Sequence, residues 1–239
     1  MNDNPQDQVL LKLIKQSKRK KRLLNIFSPL IVTFLFLLIT GILFLNYFNL
    51  GPFTGDKIAG VPDNHLRMEQ TTSPFNKLLF DNSNAYQFNY YGTRVELWLA
   101  HYQNGQKMKE TQIGPIIVHD SPTEKHQIAG SLAYGLNQKS EKEQDNAALS
   151  FYFEMNGAST SDKINLADYA FEDITGYSFG IRGATDSQTI YSKNSHTITK
   201  DVTYDLITLI SEGPFYQTTE RKEQFKDNPN GLVLYLVFK

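Results

Sequence analysis

Five histidines, His65, His101, His119, His126 and His196, are the side chains of this 239-residue chain best suited to hold a metal or shuttle a proton near neutral pH. His119 and His126 flank "DSPTEK", so a metal site can be drawn with Asp120 as a third ligand. The spacing matches no ligand pattern such as H-E-x-x-H, and loop histidines in solvent are the plainer reading. Ser131 in "AGSLAYG" lacks the G-x-S-x-G frame that exposes a nucleophile, and the alternation around it reads as a strand. "GIRGA" at 180–184 has neither the dinucleotide glycines nor a phosphate-loop lysine. The carboxylate pairs Glu172–Asp173 and Asp201–Asp205 are of the type glycoside hydrolysis uses, but sequence does not supply their separation. "DKINLAD" at 162–168 is not an EF-hand loop. The expectation is therefore no catalytic residue, no metal and no cofactor.

Aromatic side chains are the one compositional excess that points to binding. Tyr90, Tyr91, Trp98 and Tyr102 lie close together around "RVELWLAHY". There Val95, Leu97 and Leu99 alternate with Arg94, Glu96 and Trp98. If the Val/Leu face is the core, Trp98 and Tyr102 face the other way, where they can stack on a sugar or a partner. The bland alternative is that both faces are covered and Trp98 is simply packed.

These residues need a scaffold, and the pattern from about Asn84 onward is period two. "RVELWLAHYQ", then Asn104–Gly105, then "QKMKETQI" is a hairpin signature. Further strand-like runs are "AYQFNYY", "GPIIVHD", "HQIAGSLAYGL", "ALSFYFEM", "YSFGIRG", "HTITKDV", "YDLITLI" and "LVLYLVFK", separated by Gly, Pro, Asn, Asp or Ser clusters. "INLADYAFEDI" at 164–174 reads as one short helix, and so does "SPFNKLLFD" with Ser73 as its N-cap. The apolar end of the chain reads as a paired strand, since an unpaired one would be a sticky edge.

Upstream the chain changes character. Residues 23–55 carry no charge. As a helix, the apolar block 23–48 spans about 39 Å, more than the ~30 Å of a bilayer's hydrocarbon. It is longer than a signal peptide's apolar region and lacks an A-x-A-like site. Lys18, Arg19, Lys20, Lys21 and Arg22 precede it directly, the pattern that keeps a short segment on the cytoplasmic side. Residues 1–22 hold seven Lys/Arg against two Asp, a net +5, and the whole chain is −1, so the rest carries −6. A nucleic-acid patch is the sharper rival, but the basic run abuts the apolar block and has no aromatic partners for stacking. Anionic lipid headgroups are the better match. "VLLKLIKQ" before it has helical spacing, so the helix extends two or three turns upstream or a short interfacial helix forms.

The chain has no cysteine and no N-glycosylation sequon, which excludes disulfides and thiolate chemistry and favours a bacterial cell surface. The layout resembles that of single-span proteins of Gram-positive bacteria with a small outer β domain, a likeness of organisation that carries over no functional residue.

The expected fold is mainly β, with one N-terminal transmembrane helix, a linker and an antiparallel sandwich-like extracytoplasmic domain. The boundaries are 1–22 cytoplasmic tail, 23–48 span, 49–78 linker and 79–239 β domain. The expected function is a single-pass membrane protein presenting this domain to a ligand, cell-envelope component or protein. Its expected partners are the lipid bilayer, another envelope protein or a cell-wall glycan, with no nucleic acid. The alternatives are a sensor signalling through its short tail and, on fold analogy alone, a surface hydrolase.

Overall fold

In the computed structural model, the described residues are 5–69, 80, 82–114, 124–137, 147–171, 174–185, 188–192, 195–214 and 221–239. The chain divides into two compact units, Met1–Tyr47 and Phe48–Lys239.

The first unit is one helix, α1 (Pro5–Tyr47). It contains most of the apolar stretch Phe27–Phe53, 27 residues that are long and apolar enough to cross a membrane. The basic run is part of the same helix, which starts about five turns before the apolar block rather than two or three. Pro29 therefore lies inside the helix. Two polar side chains within the apolar stretch are satisfied locally. The Thr33 and Thr40 hydroxyls donate to the carbonyls of Pro29 and Phe36, each at 2.8 Å.

The second unit is built of two antiparallel sheets. The first contains β1 (His65–Glu69), β2 (Asn82–Gly92), β5 (His126–Asn137), β6 (Ala148–Met155), β7 (Ala158–Asn165) and β10 (Ser195–Thr197), in the order β10-β1-β2-β5-β6-β7. The second contains β3 (Val95–Gln103), β4 (Gln106–Gln112), β8 (Gly176–Thr185), β9 (Gln188–Ser192), β11 (Thr203–Ile210) and β12 (Gly231–Phe238), in the order β4-β3-β12-β11-β8-β9. The final apolar run is β12, held between β3 and β11 and buried along its whole length.

The turns follow from local chemistry. β3–β4 and β6–β7 are joined by Asn104–Gly105 and Asn156–Gly157, and in both pairs the two residues have positive φ. Asn and Gly are the residues that tolerate this geometry, which matches the natural twist of a hairpin. Within 164–174 the helix is a single 3-10 turn, Leu166–Tyr169, capped by the Asn165 side chain accepting from the Ala167 amide at 3.2 Å. The expected helix at 73–81 falls outside the described residues apart from Phe80, as does the run "GPIIVHD" apart from Gly114.

Three segments differ from expectation, one of them β9, which none of the strand-like runs covers. The range 49–78, read as a linker, contributes β1, which pairs with β2 and β10. β7, not anticipated, is polar and mostly exposed because it is an edge strand with one partner.

Both sheets feed one core. Val95, Leu97 and Leu99 of β3 and Leu232, Leu234 and Leu236 of β12 join Tyr86, Phe88, Leu132 and Phe153 from the first sheet. Phe238 meets Phe88 edge-on with ring centroids 5.4 Å apart. The period-two pattern breaks in β11, where Leu206 has no partner in either neighbouring ladder. This bulge turns both Leu206 and Ile207 into the core. The Leu206 carbonyl accepts from two buried phenols of the first sheet, Tyr86 at 3.1 Å and Tyr134 at 3.2 Å. Burial pushes the Tyr134 phenol well above its ordinary pKa, so it remains a donor.

This shared acceptor makes a double-mutant prediction. Tyr86→Phe or Tyr134→Phe alone costs about 1 kcal/mol, because one phenol still serves the carbonyl. The double variant costs roughly 3 kcal/mol, more than the sum, because a buried carbonyl then lacks a donor. Denaturation of the detergent-solubilised chain, followed by its single tryptophan, measures this; an additive result would contradict the sharing.

Candidate functional site

The site begins in the residues directly after the first unit. Residues 48–64 bury Val61 and half-bury Phe48, Leu50, Phe53 and Ile58, and they hold three glycines with positive φ, Gly51, Gly55 and Gly60, so side-chain hydrogen bonds add to packing in fixing their path. The fixed point is Asn89 on β2, fully buried on the face turned away from the core. Its carboxamide oxygen accepts from the Ile58 amide at 2.8 Å. Its nitrogen donates to the carbonyls of Ile58 at 2.9 Å and Val61 at 2.6 Å. Asn49, also buried, donates to the Val61 carbonyl at 2.8 Å and to Asp63 at 2.9 Å. Lys57 closes the set with an ion pair to Asp63 at 2.7 Å. Arg67 of β1 donates to the Gly60 carbonyl at 2.6 Å and to Gln87 at 2.8 Å. The segment is thereby held against the first sheet as a collar.

Between this collar and the sheet lies an open cleft of about 650 Å³. Asp56, Lys57 and Ile58 form one wall. The floor is the small residues Ala129, Gly130 and Ser131 of β5. Register places Gln87, Ser131 and Glu154 in one row across β2, β5 and β6, and the row lines the cleft. Gln127, Asn156 and Gly157 close the end near the second hairpin turn.

The cleft gathers polar groups that the protein leaves unused. The Gln127 side-chain nitrogen is buried without a hydrogen-bond partner among the described residues. Glu154 accepts only from the Tyr152 hydroxyl, at 3.0 Å, and has no cationic partner among the described residues. Asp56 likewise has no ion-pair partner among them, while Lys57 is already paired. The cleft thus offers donors and acceptors together with two uncompensated carboxylates. That suits a polar ligand without negative charge.

A second, apolar hollow of about 230 Å³ occupies the same face further along β5. Phe80 and Tyr152 flank it, over Ala133 and Gly135. A Cβ at Gly135 would fall 2.3 Å from the Phe80 ring, so glycine is what admits the ring.

The sequence-derived candidates lie elsewhere. Trp98 does turn away from the core, but it is half-buried against a second apolar cluster, and its indole donates to Glu96 at 3.0 Å. Tyr102, expected on the same open face, is buried and stacked on Phe225 with centroids 4.8 Å apart. The reason is α2 (Arg221–Gln224) and the turn after it, which cover this side of the second sheet. There Arg221 pairs with the buried Asp205 and lies 4.0 Å over the Tyr235 ring. Burial works against the Arg221 cation, but the Asp205 charge outweighs it and raises its pKa.

Lys18, Arg19, Lys20 and Lys21 are exposed on α1, and Arg22 continues the same helix. His119, Asp120, Glu172 and Asp173 lie outside the described residues. Asp201 is an exposed partner of Lys239 at 2.9 Å, whereas Asp205 is buried and paired with Arg221. No group of three metal-ligating side chains occurs among the described residues. No protein-family model, curated protein or solved structure matches this chain.

Neither Asn89 nor the Gln87–Ser131–Glu154 row was singled out from sequence. Their signal is parity. They occupy the alternate positions of strands whose other residues are Tyr86, Phe88, Leu132 and Phe153.

Two outcomes follow. Asn89→Ala leaves the Ile58 amide without its acceptor and removes one donor each from the Ile58 and Val61 carbonyls, costs roughly 2–3 kcal/mol, and speeds tryptic cleavage after Lys57 by about ten-fold. Unchanged cleavage would show that the collar is held by other contacts. Separately, burial lowers the His101 pKa from 6.5, with Lys109 adding to the effect and the Asn230 hydrogen bond opposing it. Above 6.5 the ring is neutral whether folded or unfolded. As pH falls below that value the unfolded chain takes the proton first, so stability declines. His101→Gln flattens the stability–pH slope between about pH 7 and pH 5, read from denaturation midpoints.

Proposed function

We propose that this protein is a membrane-anchored binding module, with α1 as a single span and the two sheets as a β-sandwich displayed outside the cell. The cleft on the first sheet is its ligand site. The observation that carries the reading is the set of unused polar groups in that cleft, Gln127, Asp56 and one oxygen of Glu154 among them. The exposed basic run beside the apolar stretch supports an inward N-terminus and contact with anionic headgroups. A bacterial origin accords with the absence of cysteine.

One observation favours the sensor as second reading. α1 runs unbroken from Pro5 through the apolar stretch to Tyr47, so the basic segment and the span form one rod. Replacing residues 1–22 with an unrelated basic helix separates the two. A pure binding module keeps its phenotype, and a sensor loses it.

The lack of native cysteine gives a clean test of placement. Ser159→Cys on β7 and Ser17→Cys on α1 put single thiols at exposed positions. A membrane-impermeant maleimide labels Ser159→Cys on intact cells and Ser17→Cys only after permeabilisation. The reverse pattern overturns the reading.

A further inference from the structure

We infer that the cleft and the neighbouring hollow form one groove for an uncharged polysaccharide chain. The inference deepens the binding-module reading and rests on it.

The geometry comes from register. Ser131 lines the polar cleft and Ala133, two residues on and about 7 Å away along β5, lines the apolar hollow. The successive rows are Gln87–Ser131–Glu154, Ala85–Ala133–Tyr152 and Ser83–Gly135–Ser150. From Gln127 to Gly135 the groove runs about 26 Å, long enough for a polymer and too long for one small molecule. Its floor along β5 is alanine, serine and glycine, so a flat ring can approach the sheet.

The chemistry selects the polymer. Asp56 and Glu154 have no ion-pair partner among the described residues, so polyanions such as phosphate or uronate chains are repelled. An extended peptide gains affinity mainly by adding to a sheet edge. The strands under the groove have no edge to offer, because β2, β5 and β6 each pair on both sides. What they present is a hydroxyl, two amides and a carboxylate, the partners for sugar hydroxyls, together with Tyr152. That ring is 42% exposed, and its hydroxyl is tied to Glu154, which holds the ring where the apolar face of a sugar can stack on it. Phe80 supplies a second aromatic surface at the far end.

The test is calorimetric titration of the full chain in a zwitterionic detergent, which avoids sugar headgroups. The probes are neutral trimers and hexamers of glucose, mannose and N-acetylglucosamine, a galacturonate hexamer, and a serine–glycine decapeptide. At least one neutral hexamer binds, ten-fold or more tighter than its trimer, and the galacturonate does not. Tyr152→Ala, an exposed substitution that leaves the core untouched, weakens it about ten-fold. Ser131→Trp, which fills the floor, abolishes it. Met108→Ala, exposed on the second sheet, changes nothing. Silence from every neutral hexamer, preference for galacturonate, or a Tyr152→Ala variant that binds as before overturns the inference. Decapeptide binding that Ser131→Trp abolishes would overturn the glycan and leave the binding module standing. Inverted maleimide labelling would overturn placement while leaving a glycan titration unaffected.

Discussion

A single buried carboxamide connects the chain's two ways of life. Asn89 is an amide in the middle of a strand, a position that ordinarily costs stability unless its groups are all bonded. Here they are, to Ile58 and Val61 on the segment that follows the apolar helix. Apart from those bonds, Val61 is the one fully buried hydrophobic side chain of residues 48–64, and three glycines with positive φ add to the entropy of ordering the segment. With them, the segment becomes a wall, and a flat sheet face becomes a cleft. The polar row beneath is then recessed, and its donors and acceptors meet whatever enters rather than bulk water.

The two sheets treat their outer faces differently, and this asymmetry locates the site. On the second sheet, Ala100, Tyr102, Val233, Tyr235 and Val237 form an apolar layer beneath α2 and Phe225. The buried Arg221–Asp205 pair fixes α2 there, and breaking such a pair is costly because it leaves a charge unpaired. That face is closed. On the first sheet the equivalent positions are Ala85, Gln87, Ser131, Ala133 and Glu154, too small or too polar to need a cover. Between the faces lies the common core, joined by apolar packing and by the Leu206 carbonyl with its two tyrosines.

Much of this architecture was legible because it depends on local rules. Period two marked β3, and Val95, Leu97 and Leu99 are core residues as that period requires. Asn104–Gly105 marks its hairpin, and Asn156–Gly157 carries the same signal before a run, "ASTSDKIN", that lacks apolar alternation. An edge strand such as β7 needs neither alternation nor apolar residues, so composition hides it. What depends on distant contacts was not legible. Tyr102 looked like an exposed platform because nothing near it in sequence announces Phe225, which covers it. The segment 49–78 looked like a stalk because its glycines and prolines mimic one, while its anchor, Asn89, lies some 30 residues downstream. Ser131 was weighed as a nucleophile and set aside. Its place in a polar row emerges only when β2, β5 and β6 are aligned.

The central physical claim is that the segment after the apolar helix is a fixed wall of the cleft. Hydrogen exchange at the Ile58 amide tests it most directly, because that proton is donated to Asn89 rather than to a strand. The account predicts protection of Ile58 comparable to the amides of β2, since releasing it requires opening a buried carboxamide. Exchange of Ile58 at the rate of an unstructured peptide, with β2 still protected, would mean that the wall is not there and that the cleft is an open sheet face.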